Sequence, residues 1–273
     1  MYAEIQGSLN QGRLVPYLGP GVHSLVSQFN AFPATPQALA VYLTSKTSVP
    51  FKIRTNLTAA AQFIENFKHR KSLVHFMAQA FSVAGAPNPL HQRIGALHPL
   101  PRLVVDTWYD TVMAQALQGI SGWGQIQGVS QAEHHGEWVR YYDAQGGSVD
   151  AASAQHWTLA LYKPWGAYAP EKNFIISDSD FVEVLTEIDI QTPIPSLVQQ
   201  LRTDANFLFL GCRFDHQLTR AYARQIMKRS SHRHWAVLEG PLTRMEQQFV
   251  KEQQIEVIDL SLQDFLRQWD DVL

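Results

Sequence analysis

Four short segments of this chain put residues able to touch a small molecule directly behind apolar, strand-like runs. The first is Gly19-Pro20-Gly21, with Val22 after it, following the run Gly12 to Tyr17. Glycine leaves room for backbone N–H groups to approach a phosphate, and a helix starting there would favour an anion. The same tripeptide is also an ordinary tight turn. The second is Thr107-Trp108-Tyr109-Asp110, after the β-branched run Arg102 to Asp106. A polar residue there reaches a ribose hydroxyl, or else Thr107 caps a helix from about Asp110 to Leu117 with core aromatics behind it. The third is Lys163-Pro164-Trp165-Gly166, where Trp165 is either the wall of a ligand site or a ring packed on a strand-terminal turn. The fourth is Gly211-Cys212-Arg213-Phe214-Asp215, after the most apolar run of the chain, Asn206 to Leu210. Its glycine invites close ligand approach, and Asp215 suits the N-cap of the next helix. Beside Arg213 the Cys212 thiol could be activated, although a lone cysteine at a strand end is more often a small buried hydrophobe.

Other candidates carry less. His134 and His135 are adjacent, so on a strand they point to opposite faces and share no ion. His232 and His234 do alternate, but both pairs read as exposed or structural, and no metal site is expected. The single cysteine excludes an intrachain disulfide and any multi-cysteine zinc or iron–sulfur centre. Net charge is −2, and the one basic run, Lys228 to His234, reads as a solvated helix end. Binding to nucleic acid or an anionic membrane is therefore not expected. No signal segment or bilayer-length apolar stretch is visible, so the expected location is the cytoplasm.

These segments need a framework to hold them. Hydrophobic residues make up 45% of the 273 and charged residues only 17%, which allows a sizeable core. Helical periodicity covers Pro36–Ser45, Asn56–Phe67, Ser72–Phe81 and Pro89–Leu97, so residues 36–98 read as a helical insertion over one face of a sheet. Residues 118–153, rich in Gly, Gln and Ser, read as an irregular or hairpin insertion with one strand, Trp138 to Tyr142. A further strand is expected over His156–Tyr162, and Phe174–Ile176 also reads as extended. The last hundred residues alternate strand and helix, with Ser261 capping the final helix. Such alternation predicts one α/β domain over 1–273, a doubly wound parallel sheet of Rossmann-like type. In such a sheet, ligands bind beyond the strand ends near the switch in strand order.

Taken in order, the four segments resemble the silent-information-regulator-like (sirtuin-like) family, in particular its bacterial NAD-hydrolysing branch in antiphage defence. Val15-Pro16-Tyr17-Leu18-Gly19-Pro20-Gly21-Val22 looks like the family's first strand and Gly-Ala-Gly turn. Thr107-Trp108-Tyr109-Asp110 is similar to its Thr-Asn-Tyr-Asp segment, and Lys163-Pro164-Trp165-Gly166 to its Lys-Leu-His-Gly segment. Phe207-Leu208-Phe209-Leu210-Gly211 resembles the strand leading to its ribose-binding loop. Glu239-Gly240-Pro241 and Ile255-Glu256-Val257-Ile258 fit its closing strands. The resemblance implies a small-molecule nucleotide, NAD or an ADP-ribose-like ligand. It would be held by Gly19, Gly21, Val22, Thr107, Trp108, Tyr109, Asp110, Trp165, Gly166, Gly211, Cys212 and Arg213.

The departures change the expected chemistry. The family's Asn is here Trp108, and its general-base His is Trp165. An indole neither takes nor gives a catalytic proton at neutral pH. The zinc-binding cysteines of the deacetylating members are missing, so neither zinc nor protein deacetylation is expected. Three readings stay open. One is a nucleotide binder with little or no hydrolysis, whose occupancy a partner senses. Another is an active NAD glycohydrolase using Asp110, His23, Tyr109 or Tyr168. The last is a non-catalytic protein that assembles with itself or a partner through residues 118–153, where Trp123 and Trp138 lie in a polar stretch.

Overall fold

In the computed structural model, which describes residues 1–25, 32–187 and 194–270, helix α1 (Tyr2–Asn10) leads into β1 (Leu14–Leu18), whose five residues are all buried. A 3-10 turn over Pro20–Leu25 follows, where a helix start was expected. Then come α2 (Pro36–Lys46), capped by Thr35, and α3 (Leu57–Ala80), capped by Asn56. The chain leaves helical geometry inside α3 at His69 (φ 67°), between the two helices that the periodicity predicts. Helix α4 (Pro89–Gly95) begins at the N-cap Asn88.

The rest of the chain builds the sheet. It runs through β2 (Leu103–Asp106), α5 (Val112–Ala116), β3 (Trp123–Gly128), α6 (Ala132–His135), β4 (Val139–Asp143), β5 (Ser148–Val149) and α7 (Ala151–Ala154). Then come β6 (Leu159–Lys163), the small hairpin β7 (Gly166–Ala167) and β8 (Asn173–Phe174), α8 (Asp178–Glu187) and α9 (Ser196–Arg202). The alternation closes with β9 (Asn206–Leu210), α10 (Gln217–Ile226), β10 (His234–Val237), α11 (Arg244–Glu252), β11 (Ile255–Ile258) and α12 (Leu262–Asp270). Ser261 caps α12, its hydroxyl accepting from Asp264 N at 3.1 Å.

Nine strands form one sheet in the order β11-β10-β9-β1-β2-β6-β3-β4-β5. All are parallel except the edge strands β4 and β5, which pair antiparallel. This is the doubly wound α/β sheet expected. From β1 the chain moves to one side for β2 and later to the other for β9, so order reverses between β1 and β9. The loops after those two strands diverge there and leave a crevice.

Successive strand residues alternate between two apolar layers, as a sheet covered on both faces requires. Tyr17, Val105, Tyr162 and Phe209 face one layer, covered by α2, α3 and α8–α11. Leu18, Val104, Leu161 and Leu210 face the other, covered by α1, α4, α5 and α12. The helices of residues 36–98 therefore do not share one face. Helices α2 and α3 cover the first, whereas α4 buries Leu90 and Ile94 against the second. Residues 118–153 hold three strands instead of the one expected, and β3 lies inside the sheet, parallel to β6.

Candidate functional site

A cavity of about 480 Å³ opens at the carboxyl ends of β1, β2, β6 and β9, on the face covered by α2 and α3. Its floor is the crevice where strand order reverses. All four segments singled out in the sequence reach it, because each follows a strand that ends there. Gly19, Gly21, Thr107, Trp108, Tyr109, Trp165, Gly211, Cys212 and Arg213 line it. Val22, Asp110 and Gly166 do not. Val22 is buried in the opposite layer. Gly166 (φ 78°) turns the chain into the β7–β8 hairpin.

The two glycine segments serve each other. A Cβ on Gly19 would stand 2.5 Å from the Gly211 carbonyl oxygen, and one on Gly21 would stand 2.7 Å from it. Their amides are occupied as well. Gly19 N donates to Leu210 O at 2.9 Å, Gly21 N to Gly211 O at 2.9 Å, and Val22 N to Gly19 O at 3.2 Å. Pro20 has no N–H. The turn is glycine-rich because two backbones pass in contact, and the donors a phosphate would use are already bonded inside the protein.

Both tryptophans form cavity wall. Trp108 is 4% exposed; its Nε1–H donates to Pro33 O at 3.0 Å, and its ring meets Tyr109 and Phe81. That bond ties the segment before α2 to the end of β2. Trp165 is 8% exposed and packs on Tyr222 at 4.2 Å and Phe181 at 4.8 Å between ring centres. Aromatic contact on this scale fixes both indoles in place.

The polar groups that could have supplied acid–base chemistry lie elsewhere. Asp106 and Lys163 end β2 and β6 with the parity of Val104 and Leu161, so they turn to the face opposite the cavity. There Lys163 Nζ donates to Asp106 Oδ2 at 2.7 Å and to Asp110 O at 3.0 Å. Asp110 Oδ2 bonds His23 Nε2 at 2.9 Å, and its Oδ1 accepts from Val112 N at 2.7 Å. His91 of α4 stacks on His23, 5.6 Å between ring centres. Burial alone would raise the Asp110 carboxyl. The His23 hydrogen bond and the nearby Lys163 charge outweigh it and hold Asp110 well below the usual range. For Asp106 burial wins over Lys163 and the carboxyl is pushed up. Tyr109, though it lines the cavity, donates its hydroxyl to Ile175 O at 2.8 Å, and burial pushes its phenol far up. Tyr168 N donates to Tyr109 O, and the ring of Tyr168 faces Lys172. None of the four proton-transfer candidates is free at the cavity surface.

This buried cluster makes stability pH-dependent. Burial pushes the His91 imidazole from its ordinary 6.5 down to about 3, against the opposing pull of Asp110, with His23 and Lys163 pressing the same way as burial. His234, whose Nδ1 accepts from Phe207 N, is pushed by burial to about 4. Between those values and 6.5 the unfolded chain binds protons that the folded chain refuses. Stability from both histidines is therefore complete above pH 6.5 and is lost as pH falls toward 3. Asp110, held low, adds to the loss as pH falls below its ordinary 3.8, and Asp106, pushed up, works against it. Urea unfolding across this range is expected to lose on the order of a few kcal/mol, at about 1.4 kcal/mol per pKa unit. A flat profile would show that the two imidazoles are hydrated in the native state.

Cys212 is not an activated thiol. Burial pushes it above the ordinary thiol range, and it packs between Tyr17 O and Leu210 O. Arg213 lines the cavity with its guanidinium committed to protein oxygens. Its guanidinium bonds Glu246 Oε1 and Oε2, each at 2.9 Å, with Glu239 O and Pro241 O completing the set. His134 and His135 sit in α6 and not on a strand. His232 is exposed while His234 is buried. Among the described residues no group of three or more His, Cys, Asp or Glu is placed to hold a metal ion. Trp123 is buried at 6% exposure, and Trp138 lines a small internal space beside Tyr162 and Tyr222.

Sequence reading missed the rim. Thr35, Gln37, Thr55, Asn56 and Thr58 reach the cavity from the starts of α2 and α3, and Phe181 and Leu218 from α8 and α10. The helices after Thr35 and Asn56 were legible from periodicity, but nothing local says that two helix starts fold over a cavity built by distant loops.

An open, mostly parallel sheet with a cavity at its strand switch defines a doubly wound α/β domain. The family model described as "SIR2-like domain" matches residues 102–258, from the start of β2 to the end of β11. The chain belongs to the SIR2-like family. Among curated proteins, none matches the chain. No helix among the described residues is long and apolar enough to cross a membrane.

Proposed function

We propose that this SIR2-like protein binds a nucleoside-containing ligand related to NAD in the cavity at its strand ends and does not cleave it by the family's chemistry. The observation that carries this reading is the cavity wall itself. Trp108 and Trp165 stand in it at the positions where the resemblance implies the Asn and the general-base His. Flat indole and phenol faces suit a purine or pyridine ring, and base stacking on aromatics contributes about 1–3 kcal/mol per base. An enzyme would need an acid or base within hydrogen-bond reach of the bond to be broken. Asp110 and His23 are buried and engaged with each other outside the cavity lining, and Tyr109 donates to a backbone carbonyl.

In this reading occupancy of the cavity is the signal, sensed by a partner protein or another copy of the chain. The family resemblance would place that signal in bacterial antiphage defence, in the cytoplasm. Titration with NAD and ADP-ribose, followed by tryptophan fluorescence, is expected to quench saturably with no nicotinamide released in the same samples. Release abolished by Asp110→Asn in a folded protein would instead establish an NAD glycohydrolase with catalytic groups outside the family pattern. Absence of any fluorescence response would remove NAD and its relatives as ligands.

A further inference from the structure

We infer that the cavity recognises its ligand by base and sugar and not by phosphate, so that an uncharged nucleoside outbinds its own nucleotides. This rests on the reading of the cavity as a nucleoside site and narrows it. Six rings, Tyr17, Trp108, Tyr109, Trp165, Phe181 and Phe214, supply the apolar wall. The Arg213 charge and the glycine-turn amides, which a phosphate would seek, are engaged with protein oxygens. Among the described lining residues the basic side chains are Arg213 and His216. All three guanidinium nitrogens of Arg213 bond protein oxygens. His216 Nδ1 caps α10 by accepting from Leu218 N.

The backbone and the hydroxyls point the same way. The amides of Gly19, Gly21 and Val22 donate to protein carbonyls. Thr107 donates its hydroxyl hydrogen to Leu18 O at 2.8 Å, Thr58 to Asn56 Oδ1 at 3.2 Å and Thr219 to His216 O at 2.8 Å. Each hydroxyl therefore turns lone pairs, not a hydrogen, to other partners. Acceptors suit the amino group of a base and the hydroxyls of a ribose; they repel phosphate oxygens. Asp215 adds an exposed carboxylate to the lining. The starts of α2, α3 and α10 also reach the cavity, and the caps Thr35, Asn56 and His216 each already accept from one first-turn amide. A phosphate drawn in here would lose water without gaining the Arg213 cation or the glycine-turn amides.

Calorimetric titration of the full chain with adenosine, AMP, ADP and ADP-ribose tests this. Adenosine is expected to bind at least as tightly as the other three, with each added phosphate weakening binding, and its affinity should not change with salt. Affinity that rises about tenfold or more from adenosine to ADP or ADP-ribose, and falls with added salt, overturns the inference. It leaves the nucleotide site standing and moves the phosphates to the helix starts. Failure of all four ligands to bind removes the inference and the proposed function together.

Discussion

Replacing Lys163 by methionine lowers the unfolding free energy by about 3–5 kcal/mol, the range found when one partner of a buried ion pair is removed. The side chain is 2% exposed and its ammonium is held by Asp106 Oδ2 and Asp110 O. Methionine fills most of the same volume, so little of the loss would come from packing. What remains is Asp106, 5% exposed at its side chain and without its cation. Its carboxyl, already raised by burial, then takes up a proton at a higher pH still, and the loss should shrink as pH falls. The double variant Lys163→Met with Asp106→Asn removes both charges and keeps an acceptor for Trp108 N, which Asp106 Oδ1 holds at 3.0 Å. It is expected to regain most of the lost stability. Urea unfolding of the wild type, the single variant and the double variant decides the matter. A single-variant loss below about 1 kcal/mol, the value of a solvated surface pair, would show that water reaches the cluster.

The Lys163–Asp106 pair also marks where sequence reading stopped. Asp106 flanks one segment that was singled out and Lys163 opens another, but their side chains turn to the opposite face because strand residues alternate. Parity can be counted only once the strand limits are known. The same limit applies to α4. The helical span Pro89–Leu97 was legible, but the face that Leu90 and Ile94 bury against was not.

The missed strand β3 has a different cause. Trp123-Gly124-Gln125-Ile126-Gln127-Gly128 has the composition of a loop. Gln125 and Gln127 are buried because Gln125 Nε2 donates to Ala169 O at 2.9 Å and Gln127 Nε2 to Glu171 O at 2.6 Å. Gly124 and Gly128 sit there because Trp157 and Pro164 leave no room for a side chain. These partners lie between 33 and 44 residues away, so local pattern carried no trace of them. The four cavity segments were legible for the opposite reason: strand, glycine or polar turn, then helix is a local pattern, and parallel topology alone brings such turns to one edge of the sheet.

Placing both family residues back in the cavity, with Trp108→Asn and Trp165→His in one chain, is expected to create nicotinamide release from NAD. The gain should be about 10²-fold or more over the wild type, the lower bound of what positioned acid–base groups contribute. Either change alone should stay at background, because the resemblance gives the two residues separate roles, one near the scissile bond and one as general base. The geometry favours the attempt. Both indoles already line the cavity, so their replacements start on its wall. Trp165 rests on Phe181 and Tyr222, which would hold an imidazole in the same sector. Truncating buried indoles has a structural cost of about 3–5 kcal/mol each for full removal, and Trp108→Asn also frees Pro33 O. A thermal melt must therefore accompany each assay. A folded double variant that binds NAD and releases no nicotinamide would mean that the glycosidic bond does not lie between these two positions, and that the cavity has been reshaped for a different ligand pose and not merely stripped of its catalytic groups.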